Sequence, residues 1–201
     1  PPFWGDRVVE SVPLEQVYPY INRVALYRGQ WQLRKGRKSN EEYERFLAEE
    51  VDPVFDELAE RCRAEAILQP KLVYGWFPCN GDGDDLVVYD PEDHDREIER
   101  FAFPRQRKRD RWCISDFFRS VDTGEKDVLG LSCVTVGERA SDAARELFEA
   151  DRYQDYLYLH GFGVECAEGL AELWHKRMRM ELGIGNEDSP DTKKLFTQHY
   201  R

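Results

Sequence analysis

Two runs of β-branched and aromatic residues in the middle of the chain are joined by a very short connection. The runs cover residues 71–77 and 85–89, and the Gly- and Asp-rich segment 80–84 between them is typical of a hairpin turn. Because so few residues cannot form a crossover helix, the pattern predicts antiparallel pairing of the two strands. Two further strands are predicted at 98–103 and 128–136.

The segment before these strands is predicted to be irregular as far as residue 38 and helical after it. Ser39 and Glu42 have the spacing of a capping box, in which each side chain binds the other residue's backbone N–H. Apolar residues at steps of three and four then predict a helix that reaches about residue 68. Pro53 should kink or break that helix.

The last third of the chain is predicted to be helical. One helix covers 141–150, a longer one begins near Asp151, and Asp191 can cap a short final helix. One apolar stripe is assigned to the long helix, consisting of Tyr153, Leu157, His160, Val164, Ala167, Ala171, Trp174, Met178 and Leu182. Helices at both ends of a strand-rich middle predict an α+β fold, a single domain with a mostly antiparallel central sheet flanked by helices.

Composition excludes several classes of protein. The 201 residues are 41% apolar, which argues against disorder, and a formal net charge of -11 argues against nucleic-acid binding. No apolar stretch approaches the roughly 18 residues of a membrane helix, and the first residues do not resemble an export signal. We therefore expect a cytoplasmic protein without membrane contact, whose five cysteines are reduced. Cys62 and Cys133 lie in apolar patterns and are predicted to be core residues.

No arrangement typical of catalysis or metal binding emerges from residue spacing. The turn 80–84 departs from the calcium-loop pattern, and Gly161 and Gly163 lack the third glycine of a dinucleotide fingerprint and fit helix packing better. Structural roles are favoured for His160 and His175. We predict no catalytic side chain and no metal site.

Two features leave a functional alternative open. The basic cluster Arg105, Arg107, Lys108, Arg109 and Arg111 is either a solvated loop or a docking patch for an acidic protein. Glu168 lies at the edge of the predicted stripe, where a long side chain can reach a cleft, although spacing alone favours an ordinary surface glutamate.

A set of short segments, in order along the chain, resembles the C-terminal activation domain of cobalamin-dependent methionine synthase. The segments are Pro1 to Gly5, Tyr20 to Trp31, Gly75 to Asn80 with Gly83 to Leu86, Phe101 to Gln106, Cys113 to Phe118, and Tyr156 to Gly161 leading into Ala167 and Glu168. Each segment is weak alone, but the ordered set spans essentially the whole chain.

The resemblance implies a reactivation module. In that family the domain binds S-adenosylmethionine and presents its methyl group to cob(II)alamin for reductive methylation, with an electron from a flavodoxin-type or other reductase. The cobalamin belongs to a neighbouring cobalamin-binding domain, and the whole enzyme is a methyltransferase of methionine biosynthesis that uses 5-methyltetrahydrofolate and homocysteine. Because the cofactor carries the chemistry, the domain need only bind and orient the donor.

Two positions match donor-binding residues of the family. The resemblance implies that Glu168 lies near the donor's positively charged amino group and that Asn22 occupies a position that is aspartate in some members. The Asn22 amide can accept a hydrogen bond but carries no charge, and charge-assisted bonds are about twice as strong as neutral ones. The resemblance thus implicates Glu168 more firmly than Asn22.

The family's main donor motif, an Arg followed by Gly-Tyr-Pro-Ala-Cys-Pro, would fall just after Arg201, where the given sequence ends. We therefore expect residues 1–201 to be an activation domain truncated before that motif, and to bind the donor weakly by themselves. Two alternatives remain open at this point. One is a free-standing reactivation subunit that docks a cobalamin protein, and the other is a non-catalytic interaction module.

Overall fold

The computed structural model describes residues 1–196, which form two compact units. The sheet unit consists of residues 1–8 and 73–133, and the helical unit consists of residues 9–72 together with the chain from Val134 onward. Each unit thus combines segments that are distant in sequence. Among the described residues, no helix has both the length and the apolar character needed to cross a membrane.

The sheet has five strands. They are β1 (Gly5–Val9), β2 (Lys71–Asp82), β3 (Asp85–Tyr89), β4 (Glu97–Ala102) and β5 (Asp127–Thr135). The order is β1-β2-β3-β4, and β5 also pairs with β2. The pairs β2–β3 and β3–β4 are antiparallel, as the short connections predict. The expected α+β class is confirmed, since strands and helices occupy separate parts of the chain.

The hairpin turn is shorter than its sequence indicates. Strand β2 continues to Asp82, which pairs with Asp85, so that only Gly83 and Asp84 form the turn. Asn80, predicted to belong to the turn, is buried in the strand, and its side-chain amide donates to the carbonyls of Arg119 (3.1 Å) and Glu125 (2.8 Å). These bonds pair the amide of a polar side chain that is buried in the sheet. The strand is therefore longer, and the turn shorter, than the sequence predicts.

Strand β1 is absent from the sequence-based prediction, which assigned the segment as irregular. A Cβ at Gly75 would lie 2.3 Å from the carbonyl oxygen of Gly5, so only a glycine lets the two backbones approach this closely. Sequence periodicity could not identify this strand, because β1 is held by backbone proximity rather than by an alternating apolar pattern.

The helical unit contains six α-helices within the described residues. They are α1 (Leu14–Val17), α2 (Asn40–Phe46), α3 (Asp52–Ala64), α4 (Glu138–Glu149), α5 (Tyr153–Glu181) and α6 (Thr192–Leu195). Two π-helical turns, Ala25–Gln30 and Leu47–Val51, interrupt the first half. Asp191 directly precedes α6, as predicted, while residues after 196 lie outside the described part of the chain.

The capping box is confirmed, and the predicted irregularity at Pro53 is a π-helical turn directly before it rather than a break in the helix. The Ser39 hydroxyl accepts a hydrogen bond from the backbone N–H of Glu42 (3.1 Å), and the Glu42 carboxylate accepts one from the N–H of Ser39 (2.7 Å). Pro53 lies in the first turn of α3, directly after the second π-helical turn. The chain is helical on both sides of Pro53, so the proline removes one N–H donor within a continuous helix, and the π-helical turn before it accommodates this irregularity.

The predicted apolar stripe on α5 is wrong by one to two positions. Tyr153 and His160, assigned to the stripe, are exposed, although Trp174 and Met178 are buried as expected. The buried face of the first half runs instead through Leu159, Phe162, Cys166 and Leu170. The predicted stripe is displaced because several residues on the packed face of α5 are glycines. A glycine has no side chain, so a search for apolar side chains misses these buried positions.

The core of the helical unit is built around Phe162. Its ring lies 5.3 Å from that of Phe55 and 5.8 Å from that of Tyr18, measured between centroids. Cys62 belongs to this core, as predicted, whereas Cys133 is exposed, so its assignment to the core was wrong. Cys133 lies in the part of β5, residues 130–133, in which every residue is exposed, so both faces of the strand are accessible there and its apolar neighbourhood in the sequence does not reveal this.

Candidate functional site

The helical unit contains a cleft of about 330 Å³ between α5 and the segment that includes the first π-helical turn. Its volume lies within the range of roughly 300–1,000 Å³ that is typical of small-molecule sites. The lining residues are Tyr20, Asn22, Ala25, Gln30, Val164, Glu165, Glu168, Glu172 and Phe196. Asn22 and Glu168, the two residues implicated by sequence, are therefore in one cleft.

Two glycines of α5 allow the segment 20–30 to lie directly on the helix. A Cβ at Gly169 would lie 3.2 Å from the backbone carbonyl group of Tyr20, and one at Gly161 would lie 2.7 Å from the Cβ of Gln30. Tyr20 and Gln30 are at the two ends of the segment that lines the cleft. The small residues thus determine the distance across the cleft, in agreement with the packing role predicted for Gly161.

The side chain of Asn22 is fixed by local hydrogen bonds. Its Oδ1 accepts from the backbone N–H groups of Val24 (3.1 Å) and Ala25 (3.2 Å), which caps the helical turn that begins there. These two bonds occupy both lone pairs of the oxygen. The group of Asn22 that remains for a ligand is therefore the amide NH2, a donor, rather than the oxygen that the sequence analysis considered.

Three glutamates on α5 line the same cleft. Glu165, Glu168 and Glu172 are separated by three and four residues, which places them on one face of the helix. Glu165 is only 5% exposed. One carboxylate oxygen of Glu172 is buried and has no hydrogen-bond partner among the described residues.

Burial raises the pKa of two of these carboxyls. It raises the pKa of Glu165, and the negative charge of Glu168 adds to that rise, while a hydrogen bond with Gln30 opposes it. Burial alone raises the pKa of Glu172. Perturbed carboxyl groups in a concave site are a common property of functional sites.

Most of the cleft was not predicted from the sequence. The family resemblance led to Asn22 and Glu168, and the structure adds Tyr20, Gln30, Glu165 and Glu172. The sequence could have identified Glu165 and Glu172 as members of the site, because they lie one helical turn before and one after Glu168. No sequence signal connects α5 with the segment 20–30, since that contact depends on the tertiary fold.

The predicted basic cluster lies in the sheet unit and divides into two parts. Arg105 forms ion pairs with Asp84 (2.7 Å) and Asp116 (2.6 Å), so it holds the loop in place. Its hydrogen bonds, with one from the Cys113 N–H, lower the pKa of the Asp116 carboxyl to about 2. The other members are exposed and form no ion pair within the described part of the chain, namely Arg107, Lys108, Arg109 and Arg111.

Comparisons with known proteins agree on one family. The family model for the vitamin B12 dependent methionine synthase activation domain matches residues 13–201. The chain is 38% identical over 215 residues to a methionine synthase of Mycobacterium tuberculosis (strain ATCC 25618 / H37Rv) and 38% identical over 214 residues to one of Mycobacterium leprae (strain TN). These alignments cover 100% of this chain and 18% of each relative, so the chain spans less than a fifth of their length.

A solved structure shares the fold. The crystal structure of the MetH reactivation domain bound to AdoHcy superposes with a TM-score of 0.84 at 24% identity. The match covers 99% of this chain and 63% of that one. At this identity the likeness establishes the architecture, and the α+β assignment agrees with it.

Proposed function

Because the chain belongs to the activation-domain family of vitamin B12-dependent methionine synthase, we propose that its cleft binds S-adenosylmethionine for presentation to a cobalamin. The observation that carries this proposal is the convergence of Asn22 and Glu168, from distant parts of the sequence, on one cleft of suitable volume. The solved MetH reactivation domain holds AdoHcy, which is the same molecule without the transferable methyl group.

The chemistry of the cleft suits this donor. S-adenosylmethionine carries a positive sulfonium and a positive amino group, and the described lining residues include three carboxyls and no basic side chain. The Glu168 carboxylate would accept a charge-assisted hydrogen bond from the amino group. The Asn22 amide, whose oxygen is engaged by backbone, would donate to an acceptor of the ligand.

The reaction needs no acid or base from this chain. Reduced cobalamin held by a neighbouring module would supply the nucleophile, and the cleft of this chain would hold the sulfonium donor so that its methyl group faces that cofactor. No proton moves in such a transfer, so the residues of the cleft hold and orient the donor rather than react. Within the full-length protein, this step would restore a methyltransferase that forms methionine from homocysteine with 5-methyltetrahydrofolate.

The substitution Glu168→Gln in the natural full-length protein tests the proposal. It keeps the size of the side chain and removes its charge, so S-adenosylmethionine affinity should fall by about 1.5–3 kcal/mol, the value of a hydrogen bond to a charged group. Glu149→Gln is the matched control, since Glu149 is an exposed glutamate on α4 that does not line the cleft. Isothermal titration calorimetry measures both, and unchanged affinity in Glu168→Gln would remove Glu168 from the site.

For the electron donor, we propose that the exposed cations of the loop 105–111 receive an acidic reductase. Support comes from their charge on a chain of net charge -11, and from Trp112 and Phe117, which are exposed beside them with ring centroids 5.5 Å apart. Local positive potential accelerates association with an acidic partner in a salt-dependent manner. Arg105 is excluded from this role because it is ion-paired within the unit.

Charge reversal at Arg107 and Arg109 tests the docking surface. The double variant Arg107→Glu and Arg109→Glu should slow reductase-dependent reactivation and flatten its dependence on salt. Arg139→Glu is the control, because Arg139 is an exposed arginine on α4, outside the sheet unit. A double variant with the natural rate and the natural salt dependence would exclude the loop from docking.

A further inference from the structure

We propose that Asp52 and Tyr27 are positioning residues for the donor, because together they hold the segment 22–30 in the conformation that forms one wall of the cleft. Neither residue lines the cleft, so neither would touch the ligand. The inference rests on the proposed function, since the cleft concerned is the one in which S-adenosylmethionine would bind. It extends the site to side chains that lie behind the wall.

Asp52 connects the wall of the cleft to α3. Its Oδ1 accepts hydrogen bonds from the Tyr27 hydroxyl (2.6 Å) and from the Arg23 guanidinium (2.8 Å). Arg23 also donates to the Tyr27 oxygen (3.2 Å), and its guanidinium lies 3.9 Å from the ring centroid of Phe55, another residue of α3. We call the hydrogen bonds among Arg23, Tyr27 and Asp52 the Asp52 bridge.

The aromatic ring of Tyr27 connects the same segment to α5. It stacks on Trp31 with the ring centroids 5.3 Å apart, and the indole N–H of Trp31 donates to the backbone carbonyl of Tyr158 on α5 (3.1 Å). Tyr27 and Trp31 are both buried. Tyr27 therefore links the wall to α3 through its hydroxyl and to α5 through its ring.

The residues of the bridge alternate along the chain with residues that line the cleft. Asn22, Ala25 and Gln30 line the cleft. Arg23 and Tyr27, from the same stretch of chain, instead contact side chains of α3. The lining and the bridge thus belong to one short helical segment, so a fixed bridge also fixes where the lining side chains lie.

Both ends of the bridge lie at π-helical turns. Tyr27 is within the turn Ala25–Gln30, and Asp52 directly follows the turn Leu47–Val51. Such turns are rare in proteins and are frequent at functional sites. Relaxation of the first turn to α-helical hydrogen bonding would rotate Gln30 about the helix axis and change the wall. The bridge opposes this relaxation, because it holds the middle of the turn against α3.

The hydroxyl of Tyr27 remains a hydrogen-bond donor at neutral pH. Burial, and after it the hydrogen bond with Asp52, raises the pKa of Tyr27 above its usual value. A hydrogen bond from a neutral donor to a carboxylate is charge-assisted and is stronger than one between two neutral groups. The removal of this single hydroxyl should therefore have a measurable effect on the wall.

The effect on the donor follows from the population of the formed wall. A ligand that needs one conformation of its site has an apparent dissociation constant equal to the intrinsic constant divided by the fraction of molecules in that conformation. Loss of the bridge lowers this fraction without removing any contact with the ligand. Donor binding should weaken, whereas the reaction of the bound donor should not change.

The variant Tyr27→Phe tests the inference in the natural full-length protein, because it removes the hydroxyl and keeps the ring. The dissociation constant of S-adenosylmethionine should rise about fivefold to tenfold, which a hydrogen bond to a charged group can supply. In reactivation assays the KM for the donor should rise while kcat stays within about twofold of the natural value. Tyr43→Phe is the matched control, since Tyr43 is buried to the same degree and donates over 2.6 Å to the carbonyl of Leu33, but does not line the cleft.

Variants of Asp52 provide a second test, which decides the question should Tyr27→Phe fail to fold. Asp52→Asn retains an oxygen that can accept from Tyr27, so its donor affinity should stay within about twofold of the natural value, whereas Asp52→Ala should lose at least as much as Tyr27→Phe. The double variant Tyr27→Phe with Asp52→Ala should bind no more weakly than Asp52→Ala, because both changes remove the same bond. Asp142→Ala is the control, since Asp142 is a similarly exposed aspartate that is ion-paired with Arg145 on α4.

The outcomes separate this inference from the proposed function. If the natural full-length protein binds the donor but Tyr27→Phe and Asp52→Ala bind it as well as their controls do, the positioning role is wrong and the proposed function stands. An equal loss in Asp52→Asn and Asp52→Ala would contradict the role of the hydrogen bond from Tyr27. If the natural full-length protein does not bind S-adenosylmethionine, the proposed function itself fails.

Discussion

Replacement of two glycines of α5 by alanine should change stability in opposite directions, although they are two residues apart. Gly161 and Gly163 are both buried on the helix. Alanine favours a helix interior over glycine by about 1 kcal/mol, and this gain applies to both positions. The difference between the variants therefore reports only what the new methyl group contacts.

The contacts differ clearly. A Cβ at Gly163 would lie 3.8 Å from Cδ2 of Leu68, an ordinary van der Waals contact, so Gly163→Ala should stabilise by about 1 kcal/mol. A Cβ at Gly161 would lie 2.7 Å from the Cβ of Gln30. No rotation of the Gln30 side chain moves its Cβ, so the backbone of the π-helical turn has to shift, at a cost of about 1–3 kcal/mol.

Urea denaturation followed by circular dichroism at 222 nm measures the effect. Gly161→Ala should have a free energy of unfolding about 1–3 kcal/mol below that of Gly163→Ala. Because Gln30 lines the cleft, the Gly161 variant should also weaken donor binding, while the Gly163 variant should not. Equal stabilities for the two variants would refute the proposed packing of α5 against residues 20–30.

Two other predictions concern hydrogen-bonded side chains. Asn22→Ala removes the cap of the turn that begins at Val24 and should lower the free energy of unfolding by about 1 kcal/mol, whereas Asn22→Asp should retain it; thermal denaturation distinguishes them. Asp116 has a lowered pKa when folded, so its stabilising contribution is present above about pH 4 and is lost as the pH falls toward 2. In urea denaturation from pH 5 to 2.5, Asp116→Asn should therefore lose less stability than the natural protein, and an identical loss would exclude the Arg105 ion pair as a cause.

Sequence patterns predicted the elements that depend on local interactions. The capping box at Ser39, the helix irregularity next to Pro53 and the antiparallel hairpin each follow from residues that are close in the chain. Turn chemistry, caps and proline geometry act over a few residues, which explains why these features could be inferred.

The features that were missed depend on contacts between distant residues. Strand β1 exists because Gly75 admits the backbone of Gly5, and the buried face of α5 is shifted by glycines that hydropathy does not register. The functional site shows the same difference between local features, which could be predicted, and contacts between distant residues, which could not. Resemblance gave Asn22 and Glu168, but only the fold shows that one cleft contains both.

A crystal structure of the natural full-length protein with S-adenosylmethionine would show directly whether the cleft binds the donor. We expect the donor in the cleft of the helical unit, with its amino group at hydrogen-bond distance, about 2.7–3.2 Å, from the Glu168 carboxylate. A donor bound away from this cleft, or one whose carboxylate instead of its amino group faces Glu168, would contradict it.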